Sequence, residues 1–98
     1  MIDLRKLIGF EWDKGNVDKS YKKHGINPNT AEEVFLDEEI LLLEDEGHSQ
    51  TEVRLKAIGK ILKGEILLIV FTIRKTNIRI ISARRANLKE RRLYEQKS

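Results

Sequence analysis

The chain has no cysteine among its 98 residues, which excludes a disulfide framework, a thiolate metal site and a cysteine nucleophile. One proline and six glycines are too few for a proline-rich linker or a disordered low-complexity segment. The longest apolar or β-branched run, Ile66 to Ile73, falls far short of the roughly 20 residues that cross a bilayer as a helix. The first residues lack an apolar stretch followed by a small-residue cleavage site, so no signal peptide is expected. These absences lead to the expectation of a soluble, cytoplasmic protein. P-loop, GxSxG and HExxH patterns are also missing. His24 and His48 are the only histidines and lie too far apart in sequence for a metal motif, so neither a metal nor another cofactor is expected.

What is present fits one small domain over residues 1–98. Hydrophobic residues make up 40% of the chain, enough for one core, and charged residues 36%. The net charge of +3 conceals an asymmetry. Residues 1–53 hold 6 Lys/Arg against 13 Asp/Glu, a balance of −7, and residues 54–98 hold 13 against 3, a balance of +10. A basic half of that strength fits a polyanion partner, or it is neutralised by the acidic half in space.

The organising stretch is Glu65 to Ala86. Its apolar run reads as a central strand covered on both faces, Lys75-Thr76-Asn77 as a hairpin loop, and Ile78 to Ala83 as the return strand. Before it, Gly9 to Asp13 reads as a short edge strand with Phe10 and Trp12 on one face. Residues 14–24 read as a helix closed by Gly25. A second helix runs from about Pro28 to Leu36, capped by Asn27 or by a Thr30/Glu33 capping box, with Ala31, Val34 and Phe35 inward. Ile40 to Leu43 is a short strand. Val53 to Leu62 is another, with Val53, Leu55, Ala57, Gly59 and Ile61 on one face, and Lys63-Gly64 turns into the central strand. Asn87 caps a last helix with Glu90 at its third position, and Leu88 and Leu93 face inward. Tyr94 is expected to pack, the alternative being that its hydroxyl donates to a phosphate. The expected class is α+β: an antiparallel sheet of about four to five strands, with two N-terminal helices and one C-terminal helix.

Arginine carries the chemistry. Arg74, Arg79, Arg84, Arg85, Arg91 and Arg92 fall close together, with Glu90 the one acid among them. A guanidinium stays charged and grips phosphate as a fork, including a phosphate gaining charge in a transition state. Arg84 is the strongest candidate, because it stands where a strand runs into the turn before a helix. Arg91 and Arg92 read as a solvated helix face or a partner surface. His48, in a polar loop, can act as acid or base near neutral pH.

Several stretches together resemble one family. They are Phe10-Glu11-Trp12-Asp13, Lys23-His24-Gly25-Ile26 and Ala31-Glu32-Glu33-Val34-Phe35. His48-Ser49, Glu52-Val53-Arg54 and Ile58-Gly59 form a middle block. Val70 to Arg74, Ile78 to Ala86 and Glu90 to Tyr94 complete the pattern. In this order and spacing they resemble the BrnT toxins of bacterial type II toxin–antitoxin pairs. The chain departs from the pattern at Asn16, Ser20 and Asn27-Pro28.

The resemblance implies a RelE-like fold and a ribonuclease that halts translation. It implies RNA as substrate and a BrnA-like ribbon-helix-helix antitoxin as partner, in a heterotetramer that meets operator DNA only through the antitoxin. On these grounds the expected catalytic set is His48 as acid or base, Glu52 as its orienter or as an alternative base, and Arg54, Arg79 and Arg84 for charge stabilisation. Lys23, Arg74 and Arg85 are expected to hold flanking phosphates. The rival expectation is a module that binds nucleic acid or a protein partner without chemistry.

Overall fold

The apolar run becomes the middle of a five-stranded sheet. The structure, a computed structural model, describes residues 9–12, 23–45 and 53–97. Within these, the strands are β1 (Gly9–Trp12), β2 (Leu41–Glu44), β3 (Leu55–Lys60), β4 (Ile66–Arg74) and β5 (Asn77–Arg85). The helices are α1 (Pro28–Glu32), which tightens into a 3-10 turn over Glu33–Leu36, and α2 (Leu88–Lys97). Lys23 and His24 are helical, and the rest of the helix expected over 14–24 lies outside the described residues.

Strand order is β1-β5-β4-β3-β2, with β4 central as expected. Strands β2 to β5 form an antiparallel meander, but β1 runs parallel to β5, so the sheet is mixed. That corrects the antiparallel expectation. A hairpin forces antiparallel pairing on neighbours in sequence, whereas β1 meets the last strand, and side-chain alternation says nothing about its direction.

Both faces of β4 are covered. Leu67, Ile69 and Phe71 pack with Ala57, Ile80, Ala83 and Val34 on the face under α1 and the 3-10 turn. Leu68 packs with Ile58 and Tyr94 on the opposite face, under α2. Each fully buried side chain of this size contributes about 1.5–3 kcal/mol. Phe35 joins Phe71 edge-on at 5.2 Å and Phe10 at 5.5 Å, which ties β1 to the same core. Trp12 packs there too, its indole N–H donating to Glu32 at 3.1 Å.

Local signals explain most of the ends. Asn27 Oδ1 accepts from Thr30 N–H at 2.9 Å, with Pro28 in the first turn. Glu33 is therefore not in a capping box. Its carboxylate instead accepts from the Leu62 amide at 3.0 Å. Gly25 takes φ +69° where the helix before it ends, and Gly64 takes φ +103° in the β3–β4 turn. Lys75 and Thr76 alone make the β4–β5 turn, since Asn77 already pairs with Arg74.

Two further expectations fail. Val53 is 62% exposed, because the strand starts only at Leu55. Leu88 and Leu93 do not face inward and are 54% and 39% exposed. The helix is anchored by Tyr94 instead, whose ring reaches Ile58 and Leu68.

Candidate functional site

The α2 face of the sheet is where the cations gather. Lys56 lies opposite Val70, Arg79 opposite Thr72 and Arg84 opposite Leu68. In a regular strand Arg79 and Arg84, an odd number of residues apart, would point to opposite faces. A bulge prevents this. Val70 pairs with Ser82 and Phe71 with Ile80, so Ile81 is an extra residue in β5. The alternation switches there. Ile78, Ile80 and Ala83 stay on the core face, and Arg79, Ser82 and Arg84 share the other. Along β4 the two arginines are four residues apart, roughly 13 Å. Arg54 immediately precedes β3, and its carbonyl accepts from Asp45 N–H at 2.9 Å. Its side chain is partly buried, with Nε out of solvent.

Lys56, Arg79 and Arg84 each have an acidic residue nearby. Lys56 Nζ is 3.9 Å from Asp45. Arg79 stands across from Glu11 of β1. Arg84 is held most firmly: Nη1 and Nη2 donate to the two Glu90 oxygens, each at 2.8 Å. The same carboxylate closes the cap of α2. Asn87 N–H donates to Glu90 Oε1 and Glu90 N–H donates to Asn87 Oδ1, both at 2.9 Å. The Arg84 guanidinium, beside Glu90, holds that carboxyl below its ordinary pKa, and Glu90 in turn raises that of Arg84. Sequence reading found Glu90 only as a cap. Its being the one acid among six arginines was the signal for the second role.

The expected phosphate-binding residues are spread along the sheet. Arg85 points to the face opposite Arg84, at the same end. Its Nε donates to Glu65 at 2.6 Å and its Nη1 to the His24 carbonyl at 2.9 Å. Arg85 thus holds the backbone at His24, just before Gly25, and the exposed Lys23 lies beside that carbonyl in sequence. Arg74 is exposed at the far end of β4, seven residues beyond the Leu67–Arg85 pair, roughly 23 Å away. A cleft of about 400 Å³ opens beside Arg85, lined also by Asn27, Thr30, Glu33, Lys63 and Glu65. His48 and Glu52 lie outside the described residues. Among the described residues no group of three His, Cys, Asp or Glu side chains is arranged to hold a metal ion.

Comparison with known proteins gives three findings. Residues 12–90 match the model of the family described as "Ribonuclease toxin, BrnT, of type II toxin-antitoxin system". No curated protein sequence matches the chain. Among solved structures, the crystal structure of the Brucella abortus ribonuclease toxin BrnT is similar, with a TM-score of 0.64 and 23% identity, over 82% of this chain and 97% of that one. At that identity the likeness speaks for the fold.

Proposed function

Because the chain belongs to the BrnT family of ribonuclease toxins from type II toxin–antitoxin systems, we propose that it cleaves RNA by attack of the substrate's own 2′-hydroxyl on the adjacent phosphate, without a metal ion. A base takes the 2′-hydroxyl proton, the P–O5′ bond breaks, and an acid protonates the departing 5′-oxygen. The products are a 2′,3′-cyclic phosphate and a 5′-hydroxyl. The family match carries this reading. The cations that the Ile81 bulge gathers on one face support the placing of the phosphate there.

In this mechanism Arg84, with Arg54 and Arg79, stabilises the charge that develops on the phosphate oxygens. His48 serves as acid or base and Glu52 orients it or takes the proton itself, roles that rest on residue chemistry and position in the family pattern. Lys23 and Arg85 at one end of the sheet and Arg74 at the other hold flanking phosphates. The fold is RelE-like. Cleavage halts translation in the cytoplasm, and no described helix is long and apolar enough to cross a membrane. A BrnA-like ribbon-helix-helix antitoxin neutralises the toxin in a heterotetramer, and operator DNA is met only through that antitoxin.

The test is incubation of the purified full chain with single-stranded RNA of mixed sequence in excess chelator. The expected result is cleavage with cyclic phosphate ends. Arg84→Ala lowers the rate by about 10²–10³, and His48→Ala by about 10²–10⁴. Salt-dependent binding with no products from the wild type would instead make the chain a nucleic-acid-binding module.

A further inference from the structure

We propose that Glu90 is a positioning residue for RNA cleavage: it locks the guanidinium of Arg84 so that its lateral edge, Nε–H with the outer N–H of Nη2, is presented to the scissile phosphate. The inference rests on the reading that Arg84 stabilises the phosphate.

The donors of Arg84 decide the matter. Five N–H groups leave the guanidinium in a fixed plane. The end edge, one N–H from Nη1 and one from Nη2, is spent on Glu90 at 2.8 Å each. The other Nη1 hydrogen goes to the Arg85 carbonyl at 3.2 Å. Those contacts fix the plane and the rotation of the group. The lateral edge remains, and among the described residues nothing accepts from it. That edge is itself a two-pronged fork of the shape that takes two phosphate oxygens.

Glu90 is suited to the task because it is itself fixed. Its Oε1 accepts both from Arg84 and from the Asn87 amide, and its own amide donates back to the Asn87 side chain. The side chain is only 15% exposed, against 37% for Arg84. Rigidity therefore passes from the first turn of α2, through one carboxylate, to the arginine. As a stabilising device alone, a partly exposed ion pair is weak. As a means of holding a long, flexible cation in one orientation before the substrate arrives, it is effective.

Glu90→Gln separates the two roles. Glutamine keeps the oxygen that the Asn87 amide needs, so the cap survives. It replaces the second oxygen by an NH₂ that cannot accept from Nη2, so the orientation is lost. The measurement is steady-state cleavage of a labelled single-stranded RNA by the full chain. The expected result is a fall in kcat on the order of 10²-fold with KM nearly unchanged, the pattern of an interaction used in the transition state. Asn87→Ala strips the cap and keeps the ion pair. It lowers Tm and, because the cap helps to fix Glu90, lowers kcat by less than Glu90→Gln does, whereas Arg92→Ala, an exposed change on the same helix, leaves kcat near that of the wild type. If Glu90→Gln cleaves at the wild-type rate, or faster with a lower KM, Glu90 does not position Arg84 and the inference falls. If Arg84→Ala also cleaves normally, the reading beneath it falls as well. Loss of activity in Arg84→Ala alone overturns only the role of Glu90.

Discussion

Tyr94 donates its phenol hydrogen to Asp37 Oδ2 at 2.5 Å, joining residues 57 positions apart. The bond wraps the edge of the sheet. Tyr94 comes from α2 on one face, and Asp37 follows the 3-10 turn that packs on the other. Asp37 Oδ2 also accepts from the Lys60 amide at 2.8 Å, and Oδ1 from the Glu39 amide at 2.9 Å. Burial pulls the Asp37 pKa up, but the Lys60 amide, the Tyr94 hydroxyl and the Glu39 amide outweigh it and leave a net lowering. Burial, and then the hydrogen bond to Asp37, push the Tyr94 hydroxyl up to about 12. Tyr94→Phe keeps the ring and removes the bond, at a cost of about 1–2 kcal/mol. For a chain of this size Tm falls by roughly 5–10 °C. The raised pKa means the folded state prefers the neutral phenol. That preference is intact below the ordinary pKa of 10.0 and is lost as pH rises toward about 12. Thermal melts of wild type and Tyr94→Phe therefore converge across that window.

Glu90 gives the opposite pH dependence. Its folded pKa lies below the ordinary 4.5, chiefly through the Arg84 hydrogen bond. The ionised form is thus favoured by folding. Its contribution is present above the unfolded pKa and disappears as pH falls through the folded one. The Tm gap between wild type and Glu90→Gln is expected to be widest near neutrality and to close below about pH 4.5. A gap that is constant over pH would mean that the Arg84 pair adds nothing to stability.

Gly59 is needed for space. A Cβ there would lie 2.8 Å from Val34 Cγ1 and 3.1 Å from the Val34 carbonyl oxygen. β3 passes so close to the 3-10 turn that one methyl group has no room. Gly59→Ala is expected to destabilise by about 1–3 kcal/mol, measured by urea unfolding. Gly64→Ala meets no atom within 4 Å, but its φ of +103° is costly for any residue with a Cβ.

Local chemistry was legible in the sequence. The apolar run at β4, the caps at Asn27 and Asn87, the turn glycines and the packing of Tyr94 all follow from neighbours in the chain. What escaped is non-local. The parallel pairing of β1 depends on where the chain returns, and no pattern in Gly9 to Trp12 records it. The bulge at Ile81 is one residue inserted in an apolar strand, chemically like its neighbours, yet it decides which face Arg84 occupies. Leu88 and Leu93 carried a helical stripe that the fold does not use, because one aromatic ring anchors α2. For the site, the arginines were visible and their faces were not. The pairing of Arg84 with Glu90 needed the turn at Ala86 and Asn87 to fold the helix start back on the strand.

The shared face of Arg79 and Arg84 makes a prediction about binding that is separate from cleavage. RNA held by phosphate contacts releases counterions, so the logarithm of affinity falls linearly with the logarithm of salt concentration, by about 0.7 per contact for a single strand. The measurement uses uniformly 2′-O-methylated RNA, which has no nucleophile and remains intact. Arg79→Ala is expected to reduce the slope by about 0.7, because Arg79 projects from the sheet face that it shares with Lys56 and Arg84. Arg92→Ala removes an equal charge from the exposed surface of α2 and is expected to leave the slope unchanged. The comparison turns on position and not on net charge, since both variants lose one cation. Equal slopes for the two variants would mean that the RNA follows the diffuse field of the basic half of the chain, and the sheet face would lose its claim as the binding surface.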